Sequence, residues 1–235
     1  MQKIIKRSDL LFGKKSTKLR NKVIAIVGVG GTGSTVVNLL SRVGLKKIII
    51  IDGDFVDESN LERQTLYLKK DIKKPKVLAA KEKLKDFCNI EARPEFLDNK
   101  NIDFKGVDLV IDCTDCNFAR LIINDYCKKN NIPWIYSGAI ENIGAVYFNN
   151  PKGRCYQCFN KDKIGEKCIS VGVTNAIVSL VGSLTASIAL NFLVHNKKEK
   201  DLIRINLDNN SFEKIKIKKN KNCNACNKKF IYLYS

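Results

Sequence analysis

Residues 28 to 33 read Gly-Val-Gly-Gly-Thr-Gly, between a β-branched run, Lys22 to Gly28 (KVIAIVG), and a segment with apolar residues at helical spacing, Thr32 to Val43. Four glycines in six residues contribute nothing to a core. They let the backbone turn tightly and let a ligand approach it closely. In the order strand, glycine turn, helix, the pattern G-x-G-x-x-G marks a site for nucleotide phosphates, because a helix N-terminus presents unpaired N–H donors and partial positive charge. Asp52 closes the next buried run, Lys47 to Asp52, where an acid commonly binds ribose hydroxyls. On these features alone a dinucleotide dehydrogenase fits as well as a mononucleotide enzyme.

The alternation continues. Lys76 to Phe87 reads as an amphipathic helix behind Pro75, Ile90 to Leu97 as a weak strand, Val107 to Cys113 as a strong one, Phe118 to Lys129 as a helix and Ile132 to Ser137 as a strand. Strands alternating with helices imply parallel pairing with right-handed crossovers. Beyond residue 140 the pattern changes to a strand (Ile143 to Phe148), a Gly-, Lys- and Cys-rich loop (Pro151 to Cys168), one long helix, and short strands around Ile203 to Leu207 and Glu213 to Ile217. The expected fold is α/β, a Rossmann-like mixed sheet, mainly parallel in its N-terminal half with an antiparallel C-terminal extension. With no internal repeat or low-complexity linker, the 235 residues are expected to form a single domain.

Ile169 to Val194 has no charged residue and is long enough to cross a bilayer. Asn175, Ser179, Ser183, Ser187 and Asn191 recur at every fourth position, which we read as the close-packing stripe of a helix sandwiched inside a soluble protein. Met1 to Leu19 alternates basic and apolar residues with no sustained apolar core, so no signal peptide is read there and a cytoplasmic location is expected.

Cys155-Tyr-Gln-Cys158 and Cys223-Asn-Ala-Cys226 supply four thiolates in basic, turn-prone loops, the donor set of a tetrahedral zinc site. Such a site leaves no coordination position open and is therefore structural. Cys113 and Cys116 share the spacing, but Cys113 ends an apolar strand and reads as a buried small residue. The single histidine, His195, lies at the basic end of the long helix and reads as solvated. A reaction that needs a histidine base is thus disfavoured. A nucleophilic carboxylate, with a pKa of about 3.5, needs no base at neutral pH.

That absence gives meaning to the segment Asp52-Gly-Asp-Phe-Val-Asp-Glu-Ser-Asn-Leu-Glu-Arg-Gln64. Arg63 and Lys76 are suited to gripping a triphosphate, and carboxylates beside it make sense if a magnesium ion lies between, with Asp115 leaving the strand Val107 to Cys113 at the same sheet edge. Asp57, Glu58 and Glu62 read as solvated loop charges. Lys and Arg exceed Asp and Glu by 42 to 24, a formal +18, but the lysines are spread along the chain without interleaved aromatics. A solvated basic surface is expected, and nucleic acid is not the expected partner.

In order, Gly28-Val-Gly-Gly-Thr-Gly33, Asp52-Gly-Asp54, Asn60-Leu-Glu-Arg63-Gln64, Pro75-Lys76, Asp112-Cys-Thr-Asp115, Ser137-Gly138 and the two C-x-x-C pairs resemble the ThiF/MoeB/HesA family, prokaryotic relatives of ubiquitin-activating enzymes. The resemblance covers nearly the whole chain. It implies an adenylyltransferase that uses ATP to adenylate the C-terminal glycine carboxylate of a small ubiquitin-like sulfur carrier of the MoaD/ThiS type ending in Gly-Gly, releasing pyrophosphate and serving molybdopterin, thiamine or thiolated tRNA synthesis. It implies an ATP site formed by Gly28, Gly30, Gly31, Gly33, Asp52, Asp54, Asn60, Arg63, Gln64, Lys76 and Asp115, with Asp52 on the ribose, Arg63 and Lys76 on the phosphates, Asp115 on Mg2+, and Zn2+ on Cys155, Cys158, Cys223 and Cys226. Residues 1–20 would be an N-terminal arm, 21–140 the nucleotide-binding half, and 141–235 the half that binds zinc and the ubiquitin-like partner. Family members are homodimers whose N-terminal arginine reaches the neighbour's ATP, a position matched here by Arg7, for which a plain surface arginine is the competing reading. Cys168 occupies the family's position for a thiol that accepts the activated acyl group, with an inert loop thiol as the competing reading, and Cys116 stands where Asn often follows the magnesium aspartate. A separate sulfur donor protein is compatible with this scheme. The alternative within the family is a tRNA-modifying relative that adenylates a carboxylate on a modified base.

Overall fold

A computed structural model of the chain describes residues 6–160 and 172–234. An N-terminal helix, α1 (Lys6–Phe12), and a 3-10 segment (Gly13–Asn21) lead into β1 (Val23–Val27), α2 (Gly31–Ser41), β2 (Lys47–Ile51), α3 (Lys76–Leu84), β3 (Ile90–Arg93), β4 (Leu109–Asp112), α4 (Asn117–Lys129) and β5 (Trp134–Ile140). The remainder is β6 (Ile143–Asn149), the long α5 (Asn175–His195), β7 (Leu202–Asn206) and β8 (Ser211–Ile215). All eight strands form one sheet in the order β3-β2-β1-β4-β5-β6-β7-β8. β1 to β5 pair in parallel, and β5 to β8 pair antiparallel. The expected mixed sheet is therefore present, and its two halves meet at β5.

Strand residues alternate between two cores because successive side chains point to opposite faces. Ile24 and Ile26 of β1 join Val36, Val37 and Leu40 of α2, Val77 and Ala80 of α3, and Ile177 and Val181 of α5. Ala25 and Val27 point the other way, into a cluster with Leu121 and Ile122 of α4, Trp134, Tyr156 and Tyr232. The inner strands are apolar on both faces, so they read as continuous runs such as Ile48-Ile-Ile-Ile51, all buried.

The long helix corrects one expectation. Asn175, Ser183 and Ser187 lie on the exposed side of α5, and Ser179 and Asn191 are only half-buried, so the stripe does not make the close contact. The close contact is made by Gly182, which is not one of the five, where a Cβ would lie 2.7 Å from the Thr35 Cβ and 2.9 Å from the Thr32 carbonyl oxygen of α2. α5 is long and apolar enough to cross a membrane. Here it covers α2, β5 and β6 with one face and leaves the other open. The helical readings Thr32 to Val43 and Lys76 to Phe87 run two and three residues past the ends of α2 and α3, the reading Phe118 to Lys129 ends with α4, and α1 has no counterpart in the sequence reading. Its exposed Leu10 and Leu11 give no amphipathic signal.

The substitution Gly182→Ala is expected to force α2 and α5 apart and to destabilise the fold by about 1–3 kcal/mol. Urea denaturation followed by circular dichroism measures it, and an unchanged midpoint would contradict the packing described.

Candidate nucleotide site and cysteine cluster

The strand order reverses direction between β1 and β4, the place where open α/β sheets bind ligands beyond their carboxyl ends. Gly28 follows β1 with φ +84°, and a Cβ there would lie 2.8 Å from the carbonyl carbon and oxygen of Cys113. A Cβ at Gly33 would lie 2.0 Å from the Gly28 carbonyl oxygen. These two glycines are required by the fold itself. Gly30 differs, because its Cβ would meet nothing nearer than Gln64 Nε2 at 3.8 Å. Its missing side chain leaves space at the N-terminus of α2, where no side chain caps the helix. Gln64 faces this space, only 3% exposed, and its Oε1 has no hydrogen-bond partner. A buried polar atom without a partner costs about 1–3 kcal/mol, which a bound polar ligand would recover.

Asp52, just past β2, accepts hydrogen bonds from Val29 N at 2.6 Å and Asp54 N at 2.8 Å. Burial raises its pKa, while Lys76 and the two backbone donors oppose the rise. Lys76 opens α3, is 5% exposed, and donates from Nζ to Asp54 Oδ2 at 2.8 Å. Its backbone N–H donates to the Asp54 carbonyl, so the acid and the lysine are fixed twice. The structure thus brings Asp52, Asp54 and Lys76 together behind the glycine turn. The loop between them follows its own logic. Asp57 caps a 3-10 turn, accepting from Ser59 N at 2.9 Å and Oγ at 2.6 Å, and Asn60 Oδ1 accepts from Asp57 N at 3.3 Å. Arg63 is held by the Ser59 carbonyl and Glu62, not by Asp52 or Asp54. Asp57, Glu58 and Glu62 are all exposed, as expected of solvated loop charges, and Asp57 caps the turn in addition.

Across the switch point, Asp115 is exposed in the loop after β4. Asp112 ends β4 fully buried, and Arg120 of α4 pairs with it at 3.3 Å while donating to the Thr114 carbonyl. Burial raises the Asp112 pKa and Arg120 opposes it; Arg120 itself is held above its ordinary value by the Asp112 charge despite its own desolvation. This pair fixes the loop from which Asp115 projects. Sequence reasoning passed over Arg120, although one guanidinium within Phe118-Ala-Arg-Leu-Ile, on the buried face of a helix, was the available signal. It also passed over Tyr67, whose hydroxyl donates to the Val29 carbonyl at 2.8 Å beneath the glycine turn. Phe96 was missed as well: 69% exposed, its ring lies against Gly53, where a Cβ would come within 2.6 Å. Cys113 approaches Ser137 Oγ at 3.3 Å, and burial pushes its thiol up to about 12. Arg7 is exposed on α1, and His195 is exposed and packs edge-on against Phe12. Cys168 lies outside the described residues.

The second site lies on the α4 side of the sheet. The sulfurs of Cys155, Cys158, Cys223 and Cys226 all lie within 4.8 Å of one another, with close pairs at 3.5 to 4.0 Å. A tetrahedral ion with sulfur ligands at about 2.3 Å requires sulfur separations near 3.8 Å, so the donor set fits zinc. These separations are far longer than a disulfide. The crowded thiols share protons unequally, Cys155 being raised and Cys158 lowered by the hydrogen bonds among them. Behind the cluster, Gln157 donates to Asp125 Oδ1 at 2.8 Å and accepts from Ala225 N at 3.2 Å, while Tyr232 N donates to Asp125 Oδ2 at 3.1 Å. One buried carboxylate on α4 therefore joins both cysteine loops to the nucleotide half.

The ThiF family matches the chain over residues 5–225. The chain belongs to that family. It is 34% identical over 194 residues to the adenylyltransferase and sulfurtransferase UBA4 of Meyerozyma guilliermondii, covering 77% of this chain but only 46% of that protein. With the sulfur carrier protein adenylyltransferase of Thermus thermophilus the identity is 30% over 226 residues, covering 89% of this chain and 83% of that protein. With the molybdopterin-synthase adenylyltransferase of Salmonella typhimurium it is 28%, covering 88% of each. Among solved structures, E. coli MccB with ATP superposes with a TM-score of 0.82 at 22% identity over 94% of this chain and 73% of that one, a likeness of fold.

The substitution Arg120→Ala leaves Asp112 buried without a counter-charge and is expected to destabilise the protein by about 3–5 kcal/mol. Adding Asp112→Asn should restore much of the loss. Denaturant titration of the single and double variants checks this, and an additive double variant would show that the pair is not coupled.

Proposed function

We propose that this chain uses ATP to adenylate the C-terminal glycine carboxylate of a small ubiquitin-like carrier protein, releasing pyrophosphate. The observation that carries the reading is the group Asp52, Asp54 and Lys76 beside the open cradle of Gly30 and the unpartnered Gln64. The relatives support the coarser activity, since the bacterial proteins that match most of this chain are named adenylyltransferases for a sulfur carrier protein and for molybdopterin synthase.

In this reading the carrier's carboxylate oxygen attacks the α-phosphorus of ATP. The new bond is carboxyl oxygen to phosphorus, and the bond from phosphorus to the bridging oxygen of the leaving pyrophosphate breaks. The attacking group is already ionised, so no side chain removes a proton, which agrees with a lone histidine packed on Phe12. Asp52 receives the ribose hydroxyls, and the amides at the start of α2 receive phosphate oxygens. Lys76, pre-positioned by Asp54, and Arg63, once it turns from Glu62, supply positive charge to the phosphates, so positioning and electrostatics do the chemistry. A magnesium ion, when bound, would offset phosphate charge, and Asp115 is the exposed carboxylate that would hold it. The four cysteines would hold a structural zinc. Residues 21–140 would serve the nucleotide, residues 141–235 the carrier and the metal, and a cytoplasmic homodimer would bring Arg7 of one chain to the other's ATP. Exposed Leu10 and Leu11 on the Arg7 helix, 73% and 77% accessible, support such a contact between copies. The Cys168 sulfur would attack the acyl carbon of the adenylate, forming a thioester as the bond from that carbon to the phosphate oxygen breaks and AMP leaves.

The test is ATP–pyrophosphate exchange with and without ubiquitin-like proteins ending in Gly-Gly. Exchange should require the carrier, fall by about 10²–10³-fold in Lys76→Ala, and vanish in Asp115→Ala. Exchange driven by tRNA alone would transfer the reading to a modified-base carboxylate, and exchange unaffected by Asp115→Ala would overturn the magnesium assignment.

Elemental analysis of the purified chain is expected to find one zinc per polypeptide, lost in Cys155→Ser/Cys226→Ser together with a lowered melting temperature. Full thermal stability without metal would refute a structural role.

A further inference from the structure

A second cavity, of about 400 Å³, lies at the opposite edge of the sheet from the nucleotide site. It is lined by Lys128 and Lys129 at the end of α4, Lys152 beyond β6, and Lys219, Lys228 and Phe230 beside the cysteine cluster. α4 separates the two regions: Asn117 opens it beside the loop of Asp115, and its 13 residues rise about 20 Å to Lys129. The spread of lysines in the sequence conceals this cluster, because the five come from three separate segments that the fold brings together.

No carboxylate lines the cavity, and among the described residues none of the five lysines forms an ion pair. Two are fixed in position. Lys128 Nζ donates to the Gly153 carbonyl at 2.6 Å, and Lys129 Nζ donates to the Tyr234 hydroxyl at 2.6 Å. Lys152, Lys219 and Lys228 are exposed. The basic character continues along residues 216–229, Lys-Ile-Lys-Lys-Asn-Lys-Asn-Cys-Asn-Ala-Cys-Asn-Lys-Lys, with six lysines and no acid. Aromatic surface accompanies the charge: Phe230 lines the cavity, and Tyr234 beside Lys129 is 73% exposed. The cysteine cluster, whose Cys226 also lines the cavity, offsets part of the charge of these five ammonium groups, and the exposed lysines leave a net positive face that an anion would complete.

We propose that this cavity binds the phosphate backbone of single-stranded nucleic acid. Lysine is depleted at protein–protein interfaces, where arginine and aromatic residues carry affinity, whereas nucleic-acid interfaces are strongly basic. A positively charged groove with aromatic faces on which bases stack is the arrangement that holds a flexible strand. The compact cavity takes a few phosphates of such a strand, and the lysines along 216–229 continue its track. The site is independent of the adenylation chemistry, which lies at the other end of α4.

The test uses the full chain with its metal and measures fluorescence anisotropy of labelled single-stranded RNA and DNA oligonucleotides over a range of salt concentrations. Tripolyphosphate and an acidic peptide serve as competitors. Two variants carry the same change in net charge: Lys152→Glu/Lys219→Glu in the cavity and Lys197→Glu/Lys198→Glu at the far end of α5. The neutral pair Lys152→Gln/Lys219→Gln guards against misfolding, with melting temperature and zinc content as controls. The cavity variant should bind about tenfold more weakly and lose about 1.4 from the slope of log affinity against log salt, the remote variant should change little, and carrier-dependent pyrophosphate exchange should persist in both. Preference between RNA and DNA identifies the source of the backbone. Equal losses in the two variants, which mean that only net charge matters, would overturn the proposal. So would displacement by the acidic peptide at lower concentration than by the oligonucleotide, which assigns the cavity to an acidic protein.

Discussion

The turn after β1 touches the end of β4 so closely that a methyl group at position 28 would overlap the Cys113 carbonyl. That approach fixes the crevice on which the candidate site depends. It sets the uncapped N-terminus of α2 on one side and the Asp115 loop on the other. Gly33, packed on the same turn, holds α2 at its entry angle. Three charged groups are arranged from this turn: Asp52 hangs from Val29 N, Asp54 from Asp52, and Lys76 from Asp54. The chain of hydrogen bonds runs from the turn outward, so the positions of the acids and the lysine are inherited from the glycines.

The parallel half was legible because its signals are local. A β-branched run, a glycine turn and a helical period each declare themselves within a dozen residues. Asp52, Asp54 and Lys76 could be placed for the same reason, since each sits at the boundary of an element that the pattern defines. What the sequence concealed was long-range or depended on orientation. The Asp112–Arg120 pair crosses from strand to helix, and a small polar stripe on α5 cannot tell which side of the helix meets α2. The Gln157–Asp125–Tyr232 network joins three distant segments, and no spacing rule announces it. Arg63 illustrates a further limit, because its sequence position beside the site does not fix where its guanidinium points, and here Glu62 and Ser59 hold it.

The two halves are joined in a particular way. β5 takes parallel β4 on one side and antiparallel β6 on the other, so the sheet is continuous while its wiring changes. α5 crosses back from the antiparallel half to cover α2, which carries the glycine turn. The antiparallel half therefore packs directly against the helix whose N-terminus faces the nucleotide space. Gly182 is the point of tightest contact between them.

The cysteine cluster joins positions 68 residues apart, Cys155 and Cys223. An ion seated there converts α5, β7 and β8 into a closed ring of polypeptide, and closing a ring that long removes much of the freedom of the denatured chain. Unlike a covalent staple, this closure is reversible and set by how much free ion the surroundings offer. The Tyr232 N–H to Asp125 bond lies just beyond this ring, so an ion at the cluster would tie the C-terminal end of the chain to α4 from two sides.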